Sequence, residues 1–301
     1  MAAVGLALAA VATACSGGGS SPGGPNGTRD WTPVPDGGIP TTAAGTADRT
    51  TGSTPGTAPV RRSIVVTGQV AVNPGIRQGV ARAADVAGWV LSTNNALVAT
   101  TDDPQVERGK ADPAIPADLA ARSYDHVGDV DVDAGILWAP IEKDDKAAGT
   151  QVIARYDPTT LAFVGAQEVP QHHASFVAAA DGIVYSADFF DDDAITRYRW
   201  DGTTLQPLAP LAMSTTVKRI QGGDVADGAL WLSTDDEANG LYRVDLTTGD
   251  VQSLGSVGHV EGEGEGIDAT PQPSGLLHVL VGDEASIGMW LVDVRVVATP
   301  G

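Results

Sequence analysis

Four polar stretches of the sequence carry side chains that are suited to chemistry, and these side chains recur at a nearly constant interval. Three of them, His126, His173 and Arg219, stand nine residues before a glycine that opens an apolar segment. The fourth, Glu263, is the closest equivalent in a stretch that contains an insertion. Imidazole and carboxylate groups exchange protons at moderate pH, and both ligate zinc and other transition metals. His126, His173 and Glu263 are therefore candidate catalytic residues and, alternatively, candidate metal ligands.

A wider set of polar residues accompanies these positions. If they converge on one axis, they form a candidate ligand-binding site that consists of Arg77, His126, Asp129, His172, His173, Arg219, Gln221, Glu263 and Glu265. Acidic and basic side chains that lie close together are typical of functional sites. The competing interpretation is structural, because polar side chains near a narrow channel also fill it by hydrogen-bonding to one another.

The elements that must position these side chains are short apolar strands, each opened by a glycine. The five glycines are 47, 47, 46 and 47 residues apart: Gly88, Gly135, Gly182, Gly228 and Gly275. Each follows a small or turn-forming residue, and such dipeptides form the two-residue turns that join antiparallel strands. The third residue after each glycine is predicted to pack between neighbouring units: Leu91, Trp138, Tyr185, Trp231 and His278.

Four strands in each period of this length are the signature of a β-propeller, an all-β fold. Five periods account for residues 63–301, so the sequence predicts five four-stranded antiparallel blades. Six blades are the alternative, if residues 31–75 supply more strands. Strand 63–72 is expected to pair with strand 289–296 and close the ring. Aspartate-threonine turns predict hairpins between third and fourth strands at 156–161, 200–205 and 244–249, and a short helix is expected within 114–122.

Acidic residues recur in loops that the sequence places after the second strand of each blade, on one face of the disc. They are Asp102 and Asp103, Asp144 and Asp145, Asp191 to Asp193, Asp235 to Glu237, and Asp283 and Glu284. Calcium prefers oxygen ligands, so calcium or another divalent cation is one candidate cofactor. Aspartate is also a common turn former on solvated loops, and recognition of a cationic partner is a third interpretation.

Several blade segments carry a resemblance to a known group of proteins. HVGDVD, QHHASFV, RIQGGDVADGALWLS and EGEGID resemble the blade signatures of uncharacterised secreted bacterial β-propeller lipoproteins. The resemblance covers roughly residues 120–296 and implies the fold and secretion, without an activity. More distantly, the chain resembles NHL-type and gluconolactonase-type propellers. The lactonase resemblance implies metal ligands of one Glu, two Asn and one Asp, but asparagine is scarce in the propeller segment, which argues against lactonase chemistry.

The composition limits the partners. Acidic residues outnumber basic ones 38 to 18, which gives a net charge of −20. Because the phosphate backbone of nucleic acids repels such an acidic chain, nucleic acid is not an expected partner. We expect a monomer that binds a small molecule or an extracellular protein.

The N-terminal segment predicts a location. Residues 2–14 form an apolar segment that is too short to span a bilayer. The residues at its end, Ala12-Thr13-Ala14-Cys15, resemble a bacterial lipobox. Two features differ from the usual pattern, because Ala12 replaces Leu or Val and no Lys or Arg precedes the apolar segment. The expectation is a signal peptide at 1–15, lipidation at Cys15 and a lipid anchor in the bacterial cell membrane. A cleaved secretory signal or a plain apolar tail are the alternatives. Residues 16–62 are rich in Gly, Pro, Ser and Thr and are expected to form a disordered tether.

Together these features predict a membrane-tethered, extracytoplasmic β-propeller, residues 63–301, that binds a ligand or a protein at the channel mouth on the acidic loop face. The alternative function is an extracellular hydrolase, metal-assisted or not, that uses the same site. The sequence leaves open whether the protein is an enzyme, because it contains no Gly-x-Ser-x-Gly elbow, nucleophilic cysteine or phosphate-binding loop.

Overall fold

The computed structural model describes most of the chain after residue 59. The described residues are 60–73, 75–82, 87–143, 149–190, 192–258, 262–269, 275–283 and 288–299. The predicted signal peptide, the lipidation site at Cys15 and nearly all of the predicted tether lie outside them. In this described part of the chain, no helix is long and apolar enough to cross a membrane.

Short antiparallel strands form five sheets, and each sheet is one blade of a β-propeller. Blade 1 contains β2 (Gly79–Ala81), β3 (Val90–Ser92), β4 (Leu97–Thr100) and β5 (Glu107–Ala111). The helix α1 (Ala117–Ala120) leads to blade 2, which contains β6 (His126–Val127) and β7 (Asp131–Asp133) as an interrupted first strand, then β8 (Ile136–Glu142), β9 (Gln151–Tyr156) and β10 (Phe163–Val169). Blade 3 contains β11 (Ala178–Ala180), β12 (Ile183–Ser186), β13 (Asp192–Trp200) and a fourth strand in two pieces, β14 (Leu205–Pro207) and β15 (Leu211–Val217).

The remaining two blades complete the ring. Blade 4 contains β16 (Ile220–Ala226), β17 (Ala229–Thr234), β18 (Gly240–Asp245) and β19 (Val251–Ser256). Blade 5 contains β20 (Gly264–Asp268), β21 (Leu276–Asp283), β22 (Gly288–Thr299) and, as its outermost strand, β1 (Arg61–Val72). The innermost strands β2, β7, β11, β16 and β20 contact one another in a closed cycle around the axis. The prediction of five four-stranded blades is confirmed.

The ring is closed by the two ends of the described chain. β1 pairs with β22 along its whole length, from Arg61 opposite Thr299 to Val72 opposite Met289. The predicted pairing of these two segments is confirmed, and β1 begins at Arg61. Blade 5 therefore contains one strand from the start of the propeller and three from its end.

Apolar clusters fill the junctions between neighbouring blades. Trp138 of β8 packs with Val177 and Val184 of blade 3, and Trp231 of β17 packs with Val279 of blade 5. The ring of His278 lies edge-on to a blade 1 residue, Trp89, with 4.7 Å between the ring centroids. The predicted packing role of the third residue after each glycine is confirmed in blades 2 to 5, where this side chain faces the following blade.

Turns in blades 2 to 4 follow the predicted chemistry. Both central residues have positive φ in three two-residue turns between first and second strands: Ala134-Gly135, Asp181-Gly182 and Asp227-Gly228. This backbone is that of the hairpin turns that match the twist of the strands. Between third and fourth strands, Asp157, Asp201 and Asp245 each accept hydrogen bonds from two threonine N–H groups, as in the predicted hairpins.

Blade 1 departs from the predicted pattern. Ala81 pairs with Val90, so the first and second strands are not joined by the two-residue turn expected at Gly88. The register is consequently shifted by one residue, and Val90 rather than Leu91 faces blade 2. Asp102 and Asp103 follow the third strand, not the second, and Asp102 pairs at 2.6 Å with Arg82, which follows the end of β2. These two acids therefore lie on the face opposite the start of the innermost strands.

Candidate functional site

One residue from each blade meets its counterparts at the propeller axis. These axis residues are Gly79, Asp129, Phe176, Gly222 and Gly266. A Cβ atom added to Gly266 would lie 2.7 Å from the Cα atom of Gly79, and one added to Gly222 would lie 2.7 Å from the Cα atom of Gly266. Glycine is required here because the strands approach too closely for side chains. The space that remains is filled by the two side chains of Asp129 and Phe176.

The Asp129 carboxylate joins the blades at this axis. Its Oδ1 atom accepts hydrogen bonds from the backbone N–H groups of Val80, at 2.9 Å, and Val130, at 3.0 Å. Its Oδ2 atom accepts from Gly223, at 3.0 Å, and Ile267, at 3.2 Å. The carboxylate thus contacts main chain of blades 1, 2, 4 and 5.

The main chain of Asp129 makes the connection to blade 3. Its N–H group donates to the carbonyl of Ser175 at 2.9 Å, and its carbonyl accepts from Val177 at 3.2 Å. Burial raises the pKa of the Asp129 carboxyl, while the backbone donors favour its ionised form. Asp129 was predicted to bind a ligand, but its oxygens are buried and occupied by the fold.

Four of the predicted site residues occupy equivalent positions around one mouth of the channel. His126, His173, Arg219 and Glu263 each stand three residues before the axis residue of their blade. They lie where the innermost strands begin, so the structure brings them to the same end of the disc. Blade 1 has the apolar Ile76 at this position.

The other predicted residues lie around the same end with different exposure. Arg77 is exposed beside β2, and His172 is exposed with its ring against Gly149. Gln221 is half-buried where β16 bulges against β17. A bulge re-aims a side chain next to a site without ending the strand. Glu265 is buried in a similar irregularity between β20 and β21.

A second set of mouth residues comes from the ends of the second strands. Glu142, Phe189 and Asp235 each stand seven residues after the glycine that opens the second strand. Each approaches the mouth residue of the following blade. Glu142 meets His173, Phe189 meets Arg219, and Asp235 meets Glu263. The blade junctions at the mouth are therefore built from one side chain of each set.

The junction of blades 2 and 3 is an acid–base pair. The Nδ1 atom of His173 lies 2.7 Å from the Oε1 atom of Glu142, and both side chains are buried. The backbone N–H of Ala174 donates to the same oxygen. Burial alone would raise the pKa of Glu142, but the hydrogen bond and charge of His173, the charge of His126 and the Ala174 N–H hold that pKa below its usual value.

The junction of blades 3 and 4 is aromatic and cationic. The Phe189 ring stacks on His173, with centroids 5.5 Å apart, and meets the Phe190 ring edge-on at 5.3 Å. The guanidinium of Arg219 lies 5.3 Å from the centroid of the same Phe189 ring. Phe190 is 58% exposed. An exposed aromatic ring beside charged groups is suited to contact a ligand with an apolar part.

The junction of blades 4 and 5 brings carboxylates together. Asp235 forms an ion pair with Arg219 of its own blade. Burial nevertheless raises the pKa of Asp235 to about 6. Arg219 lowers this pKa, but the charges of Glu263 and Asp236 oppose its effect. Burial raises the pKa of Glu265 well above its usual value, and the charges of Glu263, Asp235 and Asp129 raise it further.

The acidic residues predicted in the loops are divided by the structure. Asp235 and Asp236 belong to the mouth, whereas Asp102 and Asp103 lie on the opposite face, and Asp144, Asp145, Asp191 and Glu284 lie outside the described residues. Within the described ranges, no group of three or more His, Cys, Asp or Glu side chains is arranged to hold a metal ion. The candidate set His126, His173 and Glu263 does not form such a group there.

Glu142, Phe189 and Phe190 were missed by sequence reasoning. The signal was present, because the glycine that fixes the first-strand positions also fixes the seventh residue after it. That residue is Glu142, Phe189 or Asp235 in blades 2 to 4. Of the three, the acidic turns predicted from the sequence include only Asp235.

Comparison with known proteins supports the fold. No protein-family model matches the chain, and a search of curated proteins gives no match. Among solved structures, the chain is similar to glutaminyl cyclase from Myxococcus xanthus, with a TM-score of 0.60 and 14% identity, over 80% of this chain and 99% of that one. It also resembles a gluconolactonase from Xanthomonas campestris, with a TM-score of 0.47 and 13% identity, over 79% of this chain and 98% of that one. At such identities the likeness shows a β-propeller fold alone.

Proposed function

We propose that this β-propeller is a binding scaffold that takes a small ligand at the mouth formed by His173, Phe189, Arg219, Glu263 and Glu265. The observation that carries the proposal is the convergence of charged and aromatic side chains from blades 2 to 5 at one end of the channel. The Arg219 side chain is 51% exposed and Phe190 is 58% exposed, so this end presents groups to solvent. Side chains that only fill a channel would be enclosed by it.

The proposed location is outside the cytoplasm, on a tether. Support comes from the sequence, in which the lipobox-like segment ending at Cys15 precedes the Gly/Pro/Ser/Thr-rich residues 16–62. A chain of that length has a root-mean-square span of about 40 Å, which would hold the propeller away from a membrane. Metabolic labelling with a palmitate analogue should label the wild-type chain and not the Cys15→Ser variant. Equal labelling of both would contradict lipidation at Cys15.

A thermal-shift screen tests the binding site. Wild-type protein and two variants, Arg219→Ala and Arg199→Ala, would be screened against a library of metabolites of positive, negative and zero charge. Arg199 is an exposed arginine on β13, away from the mouth, and serves as the matched control. At least one ligand should raise the melting temperature of the wild type and the control, with the shift reduced in Arg219→Ala. Ligands that stabilise all three proteins equally would place binding elsewhere.

The second candidate function is acid–base catalysis at the same mouth, including hydrolysis. It is favoured by the buried Glu142–His173 pair, because a carboxylate that fixes an imidazole is an arrangement used for general bases. A panel of ester, lactone and phosphoester substrates, and an assay of glutaminyl cyclase activity in view of the named structural neighbour, would be run with and without EDTA.

The outcome of that panel separates the two functions. If catalysis occurs here, His173→Ala should lower the rate about 100-fold or more while the control His172→Ala, whose ring is exposed, lowers it much less. A wild-type protein without turnover on the panel would leave binding as the function supported at the mouth. Loss of activity in EDTA would indicate the divalent cation that the sequence led us to expect.

A further inference from the structure

The three blade junctions at the mouth differ in how well their charges match. At the first, the Glu142 carboxylate meets the His173 imidazole. At the second, the Phe189 ring meets the Arg219 guanidinium. At the third, Asp235 pairs with Arg219 but also feels the like charge of Glu263. Like charges at short range destabilise a folded protein unless a cation or a proton lies between them.

Glu265 makes this mismatch more acute. The residue is only 3% exposed, and its Oε2 atom is buried without a hydrogen-bond donor among the described residues. The charged groups that raise its pKa are Glu263, Asp235 and Asp129, all of them acidic. Glu263 also lies within hydrogen-bonding reach of Glu265. Two ionised carboxylates cannot hydrogen-bond to one another, so this pair requires a shared proton or a donor from outside the protein.

The surrounding backbone holds these carboxylates in place. The Nδ2 group of Asn239 donates to the carbonyl of Gly262 at 2.8 Å, and its Oδ1 atom accepts from the N–H of Gly264 at 3.2 Å. The hydroxyl of Ser233 donates to the carbonyl of Glu265. The segment that carries the two glutamates is therefore fixed to blade 4, which is the pre-organisation that a binding site needs.

An aromatic wall stands next to the carboxylates. Arg219 connects the two, because its guanidinium pairs with Asp235 and also lies over the Phe189 ring. Phe189, with Phe190 beside it, is therefore separated from the Asp235 carboxylate by a single guanidinium group. Aromatic faces also attract cations directly.

Building on the proposed ligand site, we infer that the junction of blades 4 and 5 binds the ammonium group of an organic amine. Glu263 and Glu265 bind the ammonium group, and the apolar part of the amine lies against Phe189 and Phe190. An ammonium group supplies hydrogen-bond donors in several directions and a positive charge for Glu263 and Glu265, since Arg219 pairs with Asp235. A bare metal ion is a poorer match, because the described residues offer no group of three metal-ligating side chains.

Isothermal titration calorimetry with three matched probes tests the inference. 2-Phenylethylamine, 2-phenylethanol and 3-phenylpropionate share an aromatic ring and differ in the charge of the other end. The amine should bind the wild-type protein at least about 10-fold more tightly than the alcohol, since a hydrogen bond between charged groups is stronger than a neutral one. The acid should bind more weakly than both. Experiments at about 0.15 M salt suppress unspecific attraction to the acidic surface.

Variants locate the amine. Glu265→Gln and Glu263→Gln should each weaken 2-phenylethylamine about 10-fold or more, because the carboxylate charge is lost while the shape is retained. Phe189→Ala should weaken 2-phenylethylamine more than it weakens methylamine. Glu107→Gln, an exposed site on blade 1, is the control and should leave binding unchanged. Circular dichroism confirms that each variant is folded.

Other outcomes overturn the inference and are distinguishable from failure of the proposed function. Equal amine affinity in wild type and both glutamine variants, or no amine binding to the wild type, would refute ammonium recognition. If 3-phenylpropionate bound instead and Arg219→Ala abolished its binding, the mouth would still be a ligand site, but for an anion. If neither these probes nor any compound of the thermal-shift screen bound at the mouth, both proposals would be wrong.

Discussion

A single carboxylate at the axis connects the innermost strands of different blades through backbone hydrogen bonds. Asp129 accepts four backbone hydrogen bonds, and three of them come from other blades. Its neighbours Gly79, Gly222 and Gly266 have no side chains that could take its place. The stability of the ring thus depends on one acidic side chain at its centre.

Replacing this carboxylate by its amide should destabilise the protein. In Asp129→Asn, the NH₂ group would face two backbone donors in either orientation, which leaves two buried N–H groups without an acceptor. The free energy of unfolding should fall by about 2–4 kcal/mol, measured by urea denaturation. The matched control is Asp201→Asn, in an exposed turn, which should change stability by less than about 0.5 kcal/mol. Equal effects of the two substitutions would show that the axis hydrogen bonds are not important for stability.

At the scale of the element, the hairpins show how local sequence chemistry fixes the blade. Blades 3 and 4 place aspartate at the first turn position, but blade 2 places Ala134 there with φ of +50°. Alanine tolerates this left-handed backbone poorly, whereas Asn and Asp adopt it with a smaller penalty. Blade 2 therefore folds around a turn that is less favourable than those of its neighbours.

Correcting this turn should stabilise the protein. Ala134→Asn would create an Asn-Gly dipeptide, the preferred sequence for this hairpin, and should raise the free energy of unfolding by about 0.5–1 kcal/mol. Asp227→Asn, at the equivalent turn of blade 4, already has a compatible residue and should change stability by less than about 0.3 kcal/mol. Chemical denaturation of both variants measures the difference. A loss of stability in Ala134→Asn would contradict this explanation of the turn.

The elements that were predictable from the sequence are those with local turn chemistry. Asp181-Gly182 and Asp227-Gly228 predict their hairpins, and the spacing of 46 or 47 residues between successive glycines predicts the number of blades. Blade 1 was not predictable in the same way, because Ala81 pairs with Val90, so its first and second strands are not joined by a two-residue turn and the register is shifted. Gly88 opens an apolar segment there as well, but its positive φ serves a close approach to Thr100 instead of a two-residue turn.

The site was only partly predictable for a different reason. His126, His173, Arg219 and Glu263 share one position in the repeat, so spacing alone groups them. Which side chain of the next blade each one meets depends on the twist between blades, which has no sequence period. The pairing of His173 with Glu142 therefore required the structure, as did the burial of Glu265 among other acids.

At the scale of the whole molecule, buried acids make stability depend on pH. The pKa of Asp235 rises from 3.8 to about 6 on folding, and the pKa of Glu265 is raised well above 4.5. Between the unfolded and folded pKa values, the folded chain holds more protons than the unfolded chain, so stability falls as pH rises. Glu142, whose pKa is lowered, has the opposite effect, but its contribution is lost only at more acidic pH.

The free energy of unfolding should accordingly fall between about pH 5 and pH 7.5, by up to about 1.4 kcal/mol per pH unit for each proton released. Glu265→Gln mimics the protonated acid, so it should be close to the wild type in stability at pH 5 and more stable at pH 7.5. Urea denaturation of both proteins across this range measures the slopes. A wild-type stability that stayed constant or increased with pH would contradict the assignment of Glu265 as a raised-pKa acid.

The pairing of β1 with β22 sets an order of events during synthesis. A ribosome makes β1 first among the described strands and β22 last, yet blade 5 needs both. Blades 1 to 4 can form as they emerge, because each draws its strands from one stretch of chain. β1 must wait, with Val65 and Val66 unpaired, until some 220 residues have followed it. A nascent chain of this protein therefore completes its ring only after β22 has been made, and a chain that stops before β22 leaves β1 as an unprotected edge strand that is prone to aggregate.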